Sequence, residues 1–281
     1  MRTEMIDLYQ FFHIEPMAGA SARLEMLIPE LITFDGKSRR RPAVLILPGG
    51  GYEHVSPREA EPIALRFMAK GYAAFTLWYS CGPHPFPVAL REAAMAMKYI
   101  RLKAEELSID SGMVAAVGFS AGGHLCGTLG MLYDGPEVAD IGSAEQIRPD
   151  ALGLCYPVAV SWGRTHEGSF QNLTFGDQAL RDRLSLEKLV RPDMPPVFLW
   201  HTREDGAVPC RNSLILATSL EEAQIPFVLH IYHRGGHGLS VVDETVHPAA
   251  QDPQTSHDVP GWADLMLAFF REQGLHITDL E

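Results

Sequence analysis

Ser120 stands at the centre of Gly118-Phe119-Ser120-Ala121-Gly122, directly after the apolar run 113–117. A short apolar run feeding G-x-S-x-G describes a buried strand that turns sharply into a helix with a serine at the apex. The positions two before and two after the serine then lie too close together for side chains, and glycine at both removes the clash. The serine is held in strained backbone that lifts its oxygen clear of the sheet edge. The following helix points its positive end at the same place. Such a serine is a candidate nucleophile. Acyl transfer through it needs three further things: a base, an acid to orient the base, and donors for an oxyanion.

Each has a candidate just after an apolar, strand-like run. Pro48-Gly49-Gly50-Gly51-Tyr52 follows the run 43–47. Its glycines let backbone approach a ligand and turn N–H groups toward it, so Gly50 and Gly51, with the N–H of Ala121, are the expected oxyanion donors. Phosphate binding is the rival use of such a loop, but neither Gly-Lys-Ser/Thr nor G-x-G-x-x-G is present. Asp205 follows the run 197–201, with Glu204 as the neighbouring rival; the shorter side chain beside Gly206 is the more easily locked. His237 lies in His233-Arg234-Gly235-Gly236-His237-Gly238, after the run 228–232, on a glycine-flanked loop able to carry its ring to the serine. His233 sits too close to the strand end, and His247 and His257 fall in an irregular tail. The spacings His230-x-x-His233 and His233-x-x-x-His237 suit metal ligands on a helix, yet Gly235 and Gly236 break that helix, so no metal site is expected. Tyr52, Phe119 and Trp162 are the aromatic candidates for walls of an acyl pocket.

The elements that must position these groups alternate. Strands are predicted at 22–27, 43–47, 73–78, 114–118, 151–156, 197–201 and 228–232. Helices are predicted at 59–70, 87–104, 121–131, 212–223 and 261–273. The pattern reads as an α/β chain with a mostly parallel central sheet covered by helices on both faces. Residues 158–195 break the alternation with mixed Gly, His, Asn and charged residues. Within a single domain spanning 1–281 they read as a small cap over the site. The stretch 162–168 shows no helical apolar stripe, which suits a short cap over a small pocket better than an amphipathic lipase lid.

The 281 residues carry a formal net charge of −12, which argues against nucleic acid and anionic membrane surfaces as partners. No apolar stretch approaches the roughly 18 residues of a membrane span. Acidic residues near the start do not suit a secretory signal, and the four scattered cysteines suit a reduced, cytoplasmic protein. A homo-oligomer is compatible with this composition.

The chain order Ser120, Asp205, His237 is that expected of α/β-hydrolases. The chain resembles the small acetyl-esterase group of that fold, the acetyl xylan esterase-like or hormone-sensitive-lipase-like hydrolases. The resemblance rests on Leu47-Pro48-Gly49-Gly50-Gly51-Tyr52, Glu59-Ala60-Glu61-Pro62-Ile63-Ala64, Gly118 to His124, Asp205-Gly206-Ala207-Val208-Pro209 and Gly236-His237-Gly238, within about residues 40 to 270. It implies hydrolysis of short acyl esters of small molecules, commonly acetyl groups on sugars, by a serine triad without a cofactor. Pro48 departs from the lipase branch, which carries His before the glycines. Within the fold, an amide-bond hydrolase (an arylformamidase or small peptidase) is the alternative enzyme, and a catalytically silent ligand-binding protein is the non-enzymatic one. Glu59 and Glu61 belong to the resembling motif, and the sequence offers them no role beyond capping the helix that begins there.

Overall fold

The computed structural model describes residues 1–32, 36–244, 246 and 258–279. Among the described residues nine strands form one sheet in the order β1-β2-β4-β3-β5-β6-β7-β8, with β9 paired to β3. β1 (Arg2–Asp7) and β2 (Arg23–Ile28) are antiparallel additions at one edge. β4 (Ala73–Trp78), β3 (Arg39–Leu47), β5 (Ile109–Phe119), β6 (Ala151–Cys155), β7 (Val197–Thr202) and β8 (Phe227–Tyr232) run parallel.

Strands buried on both faces need apolar side chains at every position, and β3 shows this directly. Ala43, Leu45 and Leu47 face one core cluster with α3 (Val88–Leu102), α4 (Ala121–Met131) and α9 (Arg211–Glu222). Val44 and Ile46 face the other, against α2 (Glu61–Met68) and α10 (Trp262–Glu272). The crossover from β3 to β4 therefore passes on one face and that from β4 to β5 on the other. The strand order reverses there, which opens a crevice beyond the carboxyl ends of β3 and β5. Both the glycine loop and Ser120 lie at that crevice.

The predicted strands and long helices are present, with ends moved by a few residues. Three things differ. β1, the short helices α1 (Leu8–Phe12) and α5 (Ala144–Ile147) and the two-residue β9 (Thr278–Asp279) are not expected from the sequence. The helix predicted at 59–70 is α2 preceded by a separate 3-10 turn, Pro57–Glu59, so Glu59 is not its cap. The irregular stretch 158–195 holds three short helices: α6 (Glu167–Thr174), α7 (Gln178–Arg183) and α8 (Leu186–Leu189). His247 and His257 lie outside the described residues.

Candidate active site

Ser120 joins β5 to α4 with φ 55° and ψ −118°, a backbone conformation that side chains rarely accept. Packing forces it. A Cβ on Gly118 would stand 2.1 Å from the Gly122 carbonyl oxygen, and one on Gly122 would stand 2.1 Å from that of Leu47. Both glycines are thus required by backbone contact, Gly118 against Gly122 as the motif predicts and Gly122 against the end of β3. The strained residue is fixed by its N–H donating to Cys155 O at 3.0 Å and its carbonyl accepting from Val158 N at 3.0 Å.

His237 reaches this serine from the loop after β8, between Gly235 at φ +134° and Gly238 at φ +71°. Its Nε2 lies 2.8 Å from Ser120 Oγ, and its Nδ1 lies 2.6 Å from Asp205 Oδ2. The other carboxylate oxygen, Oδ1, accepts the N–H groups of Ala207 at 3.0 Å and Val208 at 2.8 Å. The turn after β7 therefore holds the acid independently of the imidazole. Burial of Asp205 opposes its ionisation, but hydrogen bonds and charge from His201 and His237 outweigh it, so the carboxyl stays far below the usual carboxylate range. Glu204, the rival, points to solvent beside Arg203.

The three glycines after β3 are not equivalent. The N–H of Gly49 is already used, donating to Glu59 Oε2 at 2.7 Å. Those of Gly50, Gly51 and Ala121 have no acceptor among the described residues. Gly50 at φ +123° could carry no side chain, since a Cβ would meet the His54 carbonyl oxygen at 2.0 Å. Glu59 does more than hold one amide. Its Oε1 accepts the Tyr156 hydroxyl at 2.7 Å, and that hydroxyl accepts the Ser240 N–H at 3.0 Å. The Tyr156 ring also meets His237 edge-on, centroids 5.1 Å apart. One buried carboxylate thus ties the glycine loop to the loop that carries His237. This connection was not legible in the sequence, where Glu59 and Tyr156 are 97 positions apart.

The aromatic candidates are corrected. Phe119 is fully buried and packs on Tyr156 and Trp262, because alternation along β5 turns it into the core rather than toward Ser120 Oγ. The Tyr52 side chain is buried too, its hydroxyl donating to His124 Nδ1 at 2.9 Å while His124 Nε2 donates to Leu184 O at 2.8 Å. Burial drives the His124 pKa down to about 4, so this clasp is neutral. Trp162 is half-exposed on the 158–195 segment, its N–H on Glu187 and one face under Arg211. His166, which no local motif singles out, lies beside the glycine loop. It caps α6, and its Cε1 would be 3.6 Å from a Cβ on Gly51. Among the described residues no cluster of three or more His, Cys, Asp or Glu is arranged to hold a metal. No described helix is long and apolar enough to cross a membrane.

An open, mostly parallel sheet carrying a serine elbow after β5, an acid after β7 and a histidine after β8 defines an α/β-hydrolase. The chain matches the model of the prolyl oligopeptidase family over residues 93–252, more than half its length, and the model described as BD-FAE over residues 31–148. It belongs to the α/β-hydrolases, in their acetyl-esterase-like group. Similar solved structures include an acetyl ester-xyloside bifunctional hydrolase from Caldicellulosiruptor lactoaceticus, 33% identical with TM-score 0.83 over 98% of both chains. A carboxylesterase from Lactobacillus plantarum is 26% identical with TM-score 0.83, over 98% of this chain and 99% of that one. Among curated relatives, endo-1,4-beta-xylanase B of Butyrivibrio fibrisolvens is 37% identical over 77% of this chain, and an acetylxylan esterase of Xylanibacter ruminicola is 26% identical over 70%. The matched regions span only 35% and 41% of those two proteins.

Proposed function

We propose that the protein is a serine carboxylesterase acting on short acyl esters, with acetyl esters of a sugar or similar small polyol as the substrate class. The reading rests on one line of contacts: Asp205 Oδ2 to His237 Nδ1 at 2.6 Å, and His237 Nε2 to Ser120 Oγ at 2.8 Å. An ionised Asp205 holds the ring proton on Nδ1, which leaves Nε2 to take the Ser120 proton. Ser120 Oγ attacks the ester carbonyl carbon. The oxyanion forms against the N–H groups of Gly50, Gly51 and Ala121 and the N-terminal end of α4. His237 then gives its proton to the departing alcohol, and water repeats the sequence to release the acid and free serine. The chemistry requires no cofactor.

Segment 158–195 is the cap of this site. α6 packs on the glycine loop, with Asn172 Nδ2 donating to the Gly51 carbonyl oxygen at 2.9 Å. A cap resting directly on the oxyanion loop leaves room for a short acyl chain. The test is a panel of p-nitrophenyl esters, with kcat/KM expected to peak at acetate or propionate and to fall by roughly tenfold or more at octanoate. A fluorophosphonate should label wild-type protein and not Ser120→Ala. Faster turnover of proline-containing peptides or N-formyl anilides than of acetyl esters would replace the esterase reading with an amidase one.

A further inference from the structure

His166 is the N-cap of α6, and that position decides where its proton sits. The Ser169 backbone N–H donates to His166 Nδ1 at 3.2 Å, and the Ser169 hydroxyl is 2.8 Å from the same nitrogen. A backbone N–H can only donate, so Nδ1 is the acceptor and the neutral ring carries its proton on Nε2. Burial, with the nearby His237, holds the His166 pKa below its ordinary value, against the weaker pull of Asp205 and Glu167. The ring is thus a neutral donor near pH 7. Nε2–H has no acceptor among the described residues.

Its location limits what that donor can serve. The ring faces Gly51, since a Cβ there would stand 3.6 Å from His166 Cε1. Asn172 pins α6 to the same residue. An acetyl group offers one hydrogen-bond acceptor, its carbonyl oxygen, and the proposed oxyanion donors, the N–H groups of Gly50, Gly51 and Ala121, are without acceptors among the described residues and serve it. A further donor at the rim has work to do only if the alcohol half of the ester brings oxygens of its own.

We infer, building on the esterase reading of this site, that His166 is a specificity-determining residue whose Nε2–H donates to a hydroxyl or ring oxygen of the alcohol moiety, selecting acetyl esters of polyhydroxylated alcohols over those of plain aryl alcohols. A neutral hydrogen bond of this kind changes selectivity by about tenfold.

The test compares kcat/KM for a monoacetylated methyl xyloside with that for p-nitrophenyl acetate, whose alcohol has no such oxygens near the ester. His166→Asn keeps an acceptor for the Ser169 N–H at the cap and removes the ring donor. The ratio of the two kcat/KM values should fall about tenfold in the variant. A second arm changes the substrate: removing the hydroxyl next to the acetylated one should cost wild type about tenfold, and His166→Asn little more than nothing. An unchanged ratio with equal losses on both substrates, or a wild type indifferent to the missing hydroxyl, overturns the inference while leaving an active esterase. A wild type that turns over neither ester overturns the esterase reading itself, and this inference with it.

Discussion

Two buried glutamates, Glu59 and Glu92, use the same chemistry at two places with different consequences. Both are almost fully enclosed, at 3% and 0% exposure. Each accepts a backbone N–H and a tyrosine hydroxyl. Glu59 takes those of Gly49 and Tyr156, both at 2.7 Å. Glu92 takes the Ser80 N–H at 2.6 Å and the Tyr9 hydroxyl at 2.8 Å, with the Ser80 hydroxyl at 2.6 Å as a third donor. Removing such an acceptor strands buried donors, at about 1–3 kcal/mol for each group left unsatisfied. The difference lies in what the donors belong to. Glu92 fastens α1, and so the antiparallel edge of the sheet, to the end of β4. Glu59 fastens the glycine loop after β3 to the Tyr156 and Ser240 segment beside His237. A buried carboxylate is a general staple, and its address decides whether the fold or the reaction depends on it.

The largest effect is expected at Ser120, the proposed nucleophile. Ser120→Ala should lower kcat by on the order of 10⁶, with folding intact because its side chain fills no core space. Near wild-type turnover in the purified variant would remove the nucleophile, and with it the meaning of Glu59's address.

Asp205→Asn should lower kcat by on the order of 10⁴, since the amide favours the wrong imidazole tautomer. Glu204→Gln, one residue away and in solvent, should stay within about tenfold. The reversed pattern would show that the wrong carboxylate faces the reaction.

Glu59→Gln and Tyr156→Phe should each lower kcat between roughly tenfold and a hundredfold with a smaller change in KM. They misplace groups that act in the transition state rather than groups that hold substrate. The comparison breaks if Glu92→Gln produces the same fall in kcat.

Glu92→Gln is instead expected to leave kcat within about twofold and to change how stability depends on pH. Burial raises the Glu92 pKa from 4.5 to about 7, against the hydrogen bonds from Ser80 and Tyr9. The folded state therefore binds a proton that the unfolded chain has released between those values, and stability falls as pH rises through that window. The shift corresponds to at most about 3 kcal/mol. Urea midpoints from pH 4.5 to 8 should decline more in wild type than in the variant. Equal slopes would mean that Glu92 is ionised at no cost in the fold.

The sequence alone determined what depends on neighbours along the chain. A serine between glycines after an apolar run marks a candidate elbow, because the clash between positions 118 and 122 arises within five residues, although the one that Gly122 avoids with Leu47 does not. The doubly buried strands announced themselves because both faces need apolar side chains. β1 did not, since five of its six residues are exposed at the sheet edge, and β9 is too short to carry a pattern. Nor did α6, where an unremarkable histidine rather than Ser, Thr, Asp or Asn serves as the cap. Tertiary structure decided the rest. Phe119 was offered to the pocket by its place beside Ser120 and given to the core by strand alternation. Glu59 found Tyr156, and His166 found Gly51, across separations that no local pattern records. Burial and hydrogen bonding are settled by what the folded chain brings near, and sequence spacing encodes that only within a turn or a strand.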